Sequence, residues 1–266
     1  YNQTDASTLV DEITSLVRED KNSALLAAVK GEALHLVNVM LQSVDPSERL
    51  RFIQIQAGGF HGLYNIARYH LETYRQILQS VSNDDERLQL LQMKCIGDWT
   101  VLHYAAVDSA TEKVQVILES VSEEMHYTLL SMENINKWTP IHVACMFRNS
   151  EVLEMMMRLI TVEMRYKLLQ LPDVLVDYTP LHWSALRGHT QCIRVIADSV
   201  SSQQLIHLLR ITDVEGRTPL QLATERNEQA AVELLQEYQT KALINVALRH
   251  ADESGENSSY YPRRII

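Results

Sequence analysis

Lys137-Trp138-Thr139-Pro140-Ile141-His142, KWTPIH, decides how the rest of this chain is read. It recurs as DWTVLH at 98–103, DYTPLH at 177–182 and GRTPLQ at 216–221. With the threonine as anchor, the equivalent positions are Asn22, His61, Thr100, Thr139, Thr179 and Thr218, in steps of 39, 39, 39, 40 and 39 residues. Six copies at a nearly fixed period mark a repeat array, which has to be recognised before any helix is assigned. The third to fifth copies agree closely, and the sixth has Gln in place of His. The first two, NSALLAAVKGE (22–32) and HGLYNIARYH (61–70), keep the apolar and small positions but lose Thr-Pro.

Working outward from the anchor, Thr139, Thr179 and Thr218 read as helix N-caps. Pro140, Pro180 and Pro219 follow them, in the first turn, where a helix tolerates proline. Small pairs such as Ala105-Ala106, Ala144-Cys145 and Ser184-Ala185 let this first helix pack closely. After a turn, Val114, Ile117, Leu118 and Val121 fall at i, i+3, i+4, i+7, as do Leu153, Met156, Met157 and Ile160. That spacing places one apolar face on a second helix.

Anchor, Pro, Leu, His, small pair and Gly-His turn resemble the ankyrin repeat, most closely in YTPLHWSALRGHT at 178–190. The resemblance covers residues 21–240. Ankyrin repeats run to about 33 residues, and these are longer. The extra residues follow the second helix, where Ser82, Ser122, Thr161 and Ser201 each precede a new apolar pattern. Met125, Leu129 and Met132, like Met164, Leu168 and Leu171, are spaced i, i+4, i+7, so a short third helix is expected in every repeat. Ser201 with Gln204 has capping-box spacing. Armadillo and HEAT repeats also run to about 40 residues; the TPLH signature argues against them. The expected class is therefore all-α: an ankyrin-type helical solenoid of helix-turn-helix repeats, with an added short helix and hairpin fingers. Residues 1–20 read as an N-terminal capping helix, 21–240 as the repeats, 241–250 as a C-terminal capping helix and 251–266 as a tail.

Composition narrows the function. The 266 residues are 46% hydrophobic and 22% charged, with a formal net charge of −10. That field repels phosphate backbones and makes nucleic acid an unlikely partner. No apolar run reaches the roughly 18 residues of a membrane span. The polar, acidic start is not a signal peptide, although a chain without an initial Met leaves an upstream signal open. Three dispersed cysteines, Cys95, Cys145 and Cys192, suggest neither a disulfide framework nor zinc, and fit a cytoplasmic location.

His103, His142 and His182 sit three residues after the anchor. The resemblance implies that they hydrogen-bond between neighbouring repeats. One to a repeat, they lie too far apart to share a zinc ion, which holds its nitrogens at about 2 Å. No phosphate-cradling glycine loop, HExxH motif or nucleophile-base pair is legible. No enzyme, cofactor or metal is expected.

Two columns remain. The position before the anchor holds Lys21, Phe60, Trp99, Trp138, Tyr178 and Arg217, and the resemblance implies that it points to the concave face from the base of a finger. Positions seven and eight after the anchor include Arg68-Tyr69, Met146-Phe147, Leu186-Arg187 and Glu225-Arg226. The expected partner-binding set is Phe60, Tyr69, Trp99, Trp138, Met146, Phe147, Tyr178, Arg187 and Arg226, the mixture of aromatic, Met and Arg that hot spots favour. Intramolecular ring stacking is the competing reading. Trp99→Ala with Trp138→Ala is expected to abolish capture and to leave the melting temperature nearly unchanged. The expected function is a non-catalytic, monomeric scaffold that holds a protein or peptide segment in the groove. The alternatives are a nucleotide-type ligand sensor, or a targeting arm of a larger protein such as a channel, ligase adaptor or bacterial effector.

Overall fold

The computed structural model describes residues 34–45, 49–56 and 59–253. The chain divides into two compact units, Tyr1–Ile135 and Asn136–Ile266. The expected N-terminal capping helix, the first helix of the first repeat and the tail beyond Glu253 lie outside the described residues.

In the first unit, α1 (Leu34–Ser43) and α2 (Arg49–Gln56) are the second and third helices of the first repeat. Then come α3 (Gly59–Tyr69), α4 (Leu71–Ser80) and α5 (Asp84–Leu91), followed by α6 (Val101–Val107), α7 (Thr111–Glu119) and α8 (Glu123–Leu130). First helices pack on each other (α3 with α6), and the third helices α2, α5 and α8 form a row of their own.

The second unit repeats the plan. It contains α9 (Pro140–Met146), α10 (Ser150–Arg158), α11 (Val162–Leu169), α12 (Pro180–Leu186), α13 (Thr190–Asp198), α14 (Ser202–Arg210), α15 (Pro219–Glu225) and α16 (Gln229–Glu253). The first helices α9, α12 and α15 stack in order, with the row α10, α13 and α16 behind them. The small pairs are what permit this: Ala144, Cys145, Ser184 and Ala185 are fully buried between helices. Among the described residues the chain is all-α, with no strand.

The extra helix is present in each of the first five repeats. Its N-caps are Ser122, Thr161 and Ser201 as expected, but Asn83 rather than Ser82 in the second repeat, where the Asn83 side chain accepts the Asp85 N–H at 2.9 Å. Asparagine caps as well as serine, and the helix starts one residue later. Four residues after the cap comes a device the sequence reading missed. Arg87 donates to the Val81 carbonyl, His126 Nε2 lies 2.8 Å from the Leu118 carbonyl, and Arg165 donates to those of Met157, Ile160 and Ser199. A basic side chain on the third helix thus satisfies carbonyls left open at the end of the second, where the helix dipole also favours positive charge. In the fifth repeat the position is Leu205, and α14 packs on α16.

Two boundaries differ from expectation. Phe60 and His61 lie inside α3, not in a finger, because only two residues separate α2 from α3 and no Thr-Pro stops the helix. At the other end, α16 runs unbroken through residue 240, so the sixth repeat and the segment read as a separate capping helix share one helix. The single 40-residue step has a local cause. The finger closed by Asp173 N–H to the Tyr178 carbonyl is one residue longer than that closed by Asp213 N–H to the Arg217 carbonyl.

Candidate functional site

The anchor fixes the floor of the site. In the fourth repeat the Thr139 backbone N–H donates to His142 Nδ1 at 3.2 Å, and the His142 N–H donates back to Thr139 Oγ1 at 3.4 Å. Because Nδ1 accepts, the ring proton sits on Nε2, which donates to the Leu171 carbonyl at 2.9 Å. His182 repeats the arrangement with Thr179 and reaches the Arg217 carbonyl of the next repeat at 3.2 Å. Burial pushes both imidazoles down to about 4, against which the carbonyl bonds and nearby carboxylates only partly act. In the sixth repeat Gln221 makes the same box with Thr218. The histidines are therefore neutral architecture.

The finger bases are held by buried acids. Asp173 Oδ1 accepts the N–H groups of Leu175, Val176 and Tyr178, and its Oδ2 accepts Trp183 Nε1–H at 3.2 Å. Asp213 accepts the Glu215 and Arg217 N–H groups and pairs with Arg217 Nε at 2.8 Å. Burial raises the Asp213 pKa, but the Arg217 hydrogen bonds outweigh it, and the group ends below the usual carboxylate range.

The column before the anchor is less exposed than its sequence position implies. Tyr178 is only 6% exposed, stacked on His182 with ring centroids 5.7 Å apart and edge-on to Trp183 at 5.4 Å. Its hydroxyl accepts from Arg217 Nη2 at 3.2 Å. Trp138 is half-buried, edge-on to Trp183 at 5.9 Å. Trp99 is half-buried against Tyr104 at 5.2 Å and His103 at 5.6 Å. Tyr104 and Trp183 occupy the same register, four after the anchor, and the sequence reading missed both. The clue was a second aromatic five residues beyond the first. Since the tryptophans pack on these rings, the expectation of an unchanged melting temperature for the Trp99 and Trp138 alanine variants does not hold: each loses ring contacts that stabilise its repeat.

The column after the anchor is the more open one. Tyr69 ends α3 at 67% exposure, with the Arg68 guanidinium 5.4 Å from its ring centroid. Arg68 also donates to Tyr64 Oη at 2.8 Å and pairs with Asp108 at 3.7 Å. Met146 ends α9 half-buried, and Phe147 follows as its C-cap at 48% exposure. Arg187 and Arg226 are the exposed C-caps of α12 and α15. The first unit thus gathers Tyr64, Arg68, Tyr69, Trp99 and Tyr104, and the second gathers Trp138, Tyr178, Trp183 and Arg217 beside the ridge of helix C-caps. The Phe60 side chain and Lys30 lie outside the described residues.

Cys145 and Cys192 are buried and pair thiol to thiol, with burial pushing the Cys145 thiol well up. Cys95 Sγ lies 2.9 Å from Tyr104 Oη. Among the described residues no group of His, Cys, Asp and Glu could hold a metal, and no helix is long and apolar enough to cross a membrane.

Comparison with known families agrees with the geometry. Residues 102–156 match a family model described as ankyrin repeats (many copies), and residues 159–247 match one described as ankyrin repeats (3 copies). The two matches together take in more than half of the chain, and cover the capping boxes, first helices and fingers at the anchors Thr139, Thr179 and Thr218. The chain belongs to the ankyrin-repeat family.

Proposed function

We propose that this chain is a non-catalytic recognition scaffold that holds a protein or peptide segment against its first helices and finger bases. Ankyrin repeats are generally protein–protein interaction modules. The observation that carries the reading here is the exposure of Phe147, Arg187 and Arg226 at one register of three consecutive repeats. Nothing in the Thr-His boxes or the helix packing requires an exposed aromatic or arginine there. Aromatic and Arg side chains dominate binding hot spots. Trp138 and Trp183, half-buried in the same unit, pack edge-on and so have rings already fixed, which reduces the side-chain entropy lost on binding.

A photo-crosslinking amino acid at position 147 tests the reading. Position 162 on α11 is the control, since Val162 is 47% exposed, matching Phe147, but lies on the third helix. Incubated in lysate, the protein labelled at 147 gives one dominant adduct and the protein labelled at 162 does not. Equal adducts from both positions count against the proposal.

A further inference from the structure

The ridge of C-caps in the second unit specifies the partner's charge. Arg148 follows the C-cap of α9, and Arg187 and Arg226 are the C-caps of α12 and α15. All three are exposed, and because α9, α12 and α15 stack in order, they fall along one edge. None forms an ion pair with a carboxylate among the described residues. Seven other cations, Arg68, Arg75, Arg87, Lys94, Lys113, Lys167 and Arg217, do, while Arg158 and Arg210 likewise do not; what sets the three ridge arginines apart is their common edge. The acids near the ridge are otherwise placed. Glu225 turns to Arg217, and Glu228 packs against Gly188, next to Arg187, without an ion pair to it.

A cation at a helix C-terminus gains about 0.3–1 kcal/mol from the dipole. That accounts for a positive residue near each helix end, and the common edge sets the three side by side, none ion-paired among the described residues, where one partner can reach all of them. The first unit supplies a contrast. In the third repeat the register eight after the anchor holds Asp108, which pairs with Arg68 and Lys113. At the same register as Arg187 and Arg226, and next to Arg148 in the chain, stands the exposed Phe147.

Resting on the scaffold reading above, we propose that the second unit binds a linear acidic peptide, with its carboxylates on Arg148, Arg187 and Arg226 and its apolar side chains beside Phe147. Guanidinium forks hold carboxylates through paired hydrogen bonds, and a charged ridge speeds encounter.

The test uses the whole chain and two pools of short fluorescein-labelled peptides, equal in Leu and Tyr content. One pool has Asp and Glu at its polar positions, and the other has Lys. Oligothymidylate is the third probe. In fluorescence anisotropy the acidic pool binds best and weakens as salt is raised. Replacing the three arginines together by Gln costs about tenfold or more in affinity, and replacing them by Lys costs less. These exposed substitutions leave the melting curve in place. Equal binding of the two pools, full affinity in the Gln variant, preference for oligothymidylate or no peptide binding overturns the inference. Equal binding that is lost in Phe147→Ala overturns only the acidic class and leaves the scaffold reading standing.

Discussion

His142 and His182 show how one residue does several structural jobs. Each closes its capping box through an unprotonated Nδ1 and reaches a carbonyl of the following segment through Nε2–H. With folded values near 4 against an ordinary 6.5, the unfolded chain takes up protons first as pH falls. Stability is therefore intact above about pH 6.5 and is lost down to about pH 4, by up to about 3 kcal/mol per histidine. Urea midpoints measured at pH 7, 5 and 4 should fall in that order. His142→Gln, which copies Gln221, should flatten the dependence while keeping the cap. Lys137 is a second test at this scale. It holds φ 55 at the finger turn where the sixth repeat has Gly216 at φ 76. Lys137→Gly should stabilise by about 0.5–1 kcal/mol in urea unfolding, since the left-handed conformation costs lysine more than glycine.

At the element scale the unusual part is the third helix, and it is locked by its fourth residue. Arg165 binds three carbonyls of two neighbouring repeats. Arg165→Leu should cost about 2 kcal/mol by urea unfolding, because hydrogen bonds to a charged donor are worth about 1.5–3 kcal/mol. A loss below about 0.5 kcal/mol would show that water replaces the guanidinium at no cost. The third helices themselves were legible, because capping residues and i, i+4, i+7 spacing are local signals. The basic cap was not, since Arg87, His126 and Arg165 differ in type and Leu205 breaks the column. The start of α3 was misplaced for a related reason. Position 61 fits the period, but the cap chemistry that would stop a helix there is missing.

At the scale of the whole molecule, period and signature were enough for the fold, and column position alone was not enough for the site. Trp99, Trp138 and Tyr178 were located correctly along the chain, yet what covers them are Tyr104 and Trp183, ring partners five or more residues away. Burial is a pair property that a single column does not carry. It follows that Trp138→Ala should lower stability by about 1–3 kcal/mol, less than a fully buried tryptophan, as thermal and urea unfolding would register. That makes it a poor probe of binding. Phe147, Arg187 and Arg226 were also named from their column, and all three are exposed at the ends of their helices, although Asp108 at the same register is half-buried. Capture at this ridge is the central claim. The crosslinker at position 147, compared with position 162, tests it most directly. A partner adduct from 147 alone is the predicted result; equal labelling from both positions, or labelling from 162 alone, would contradict it.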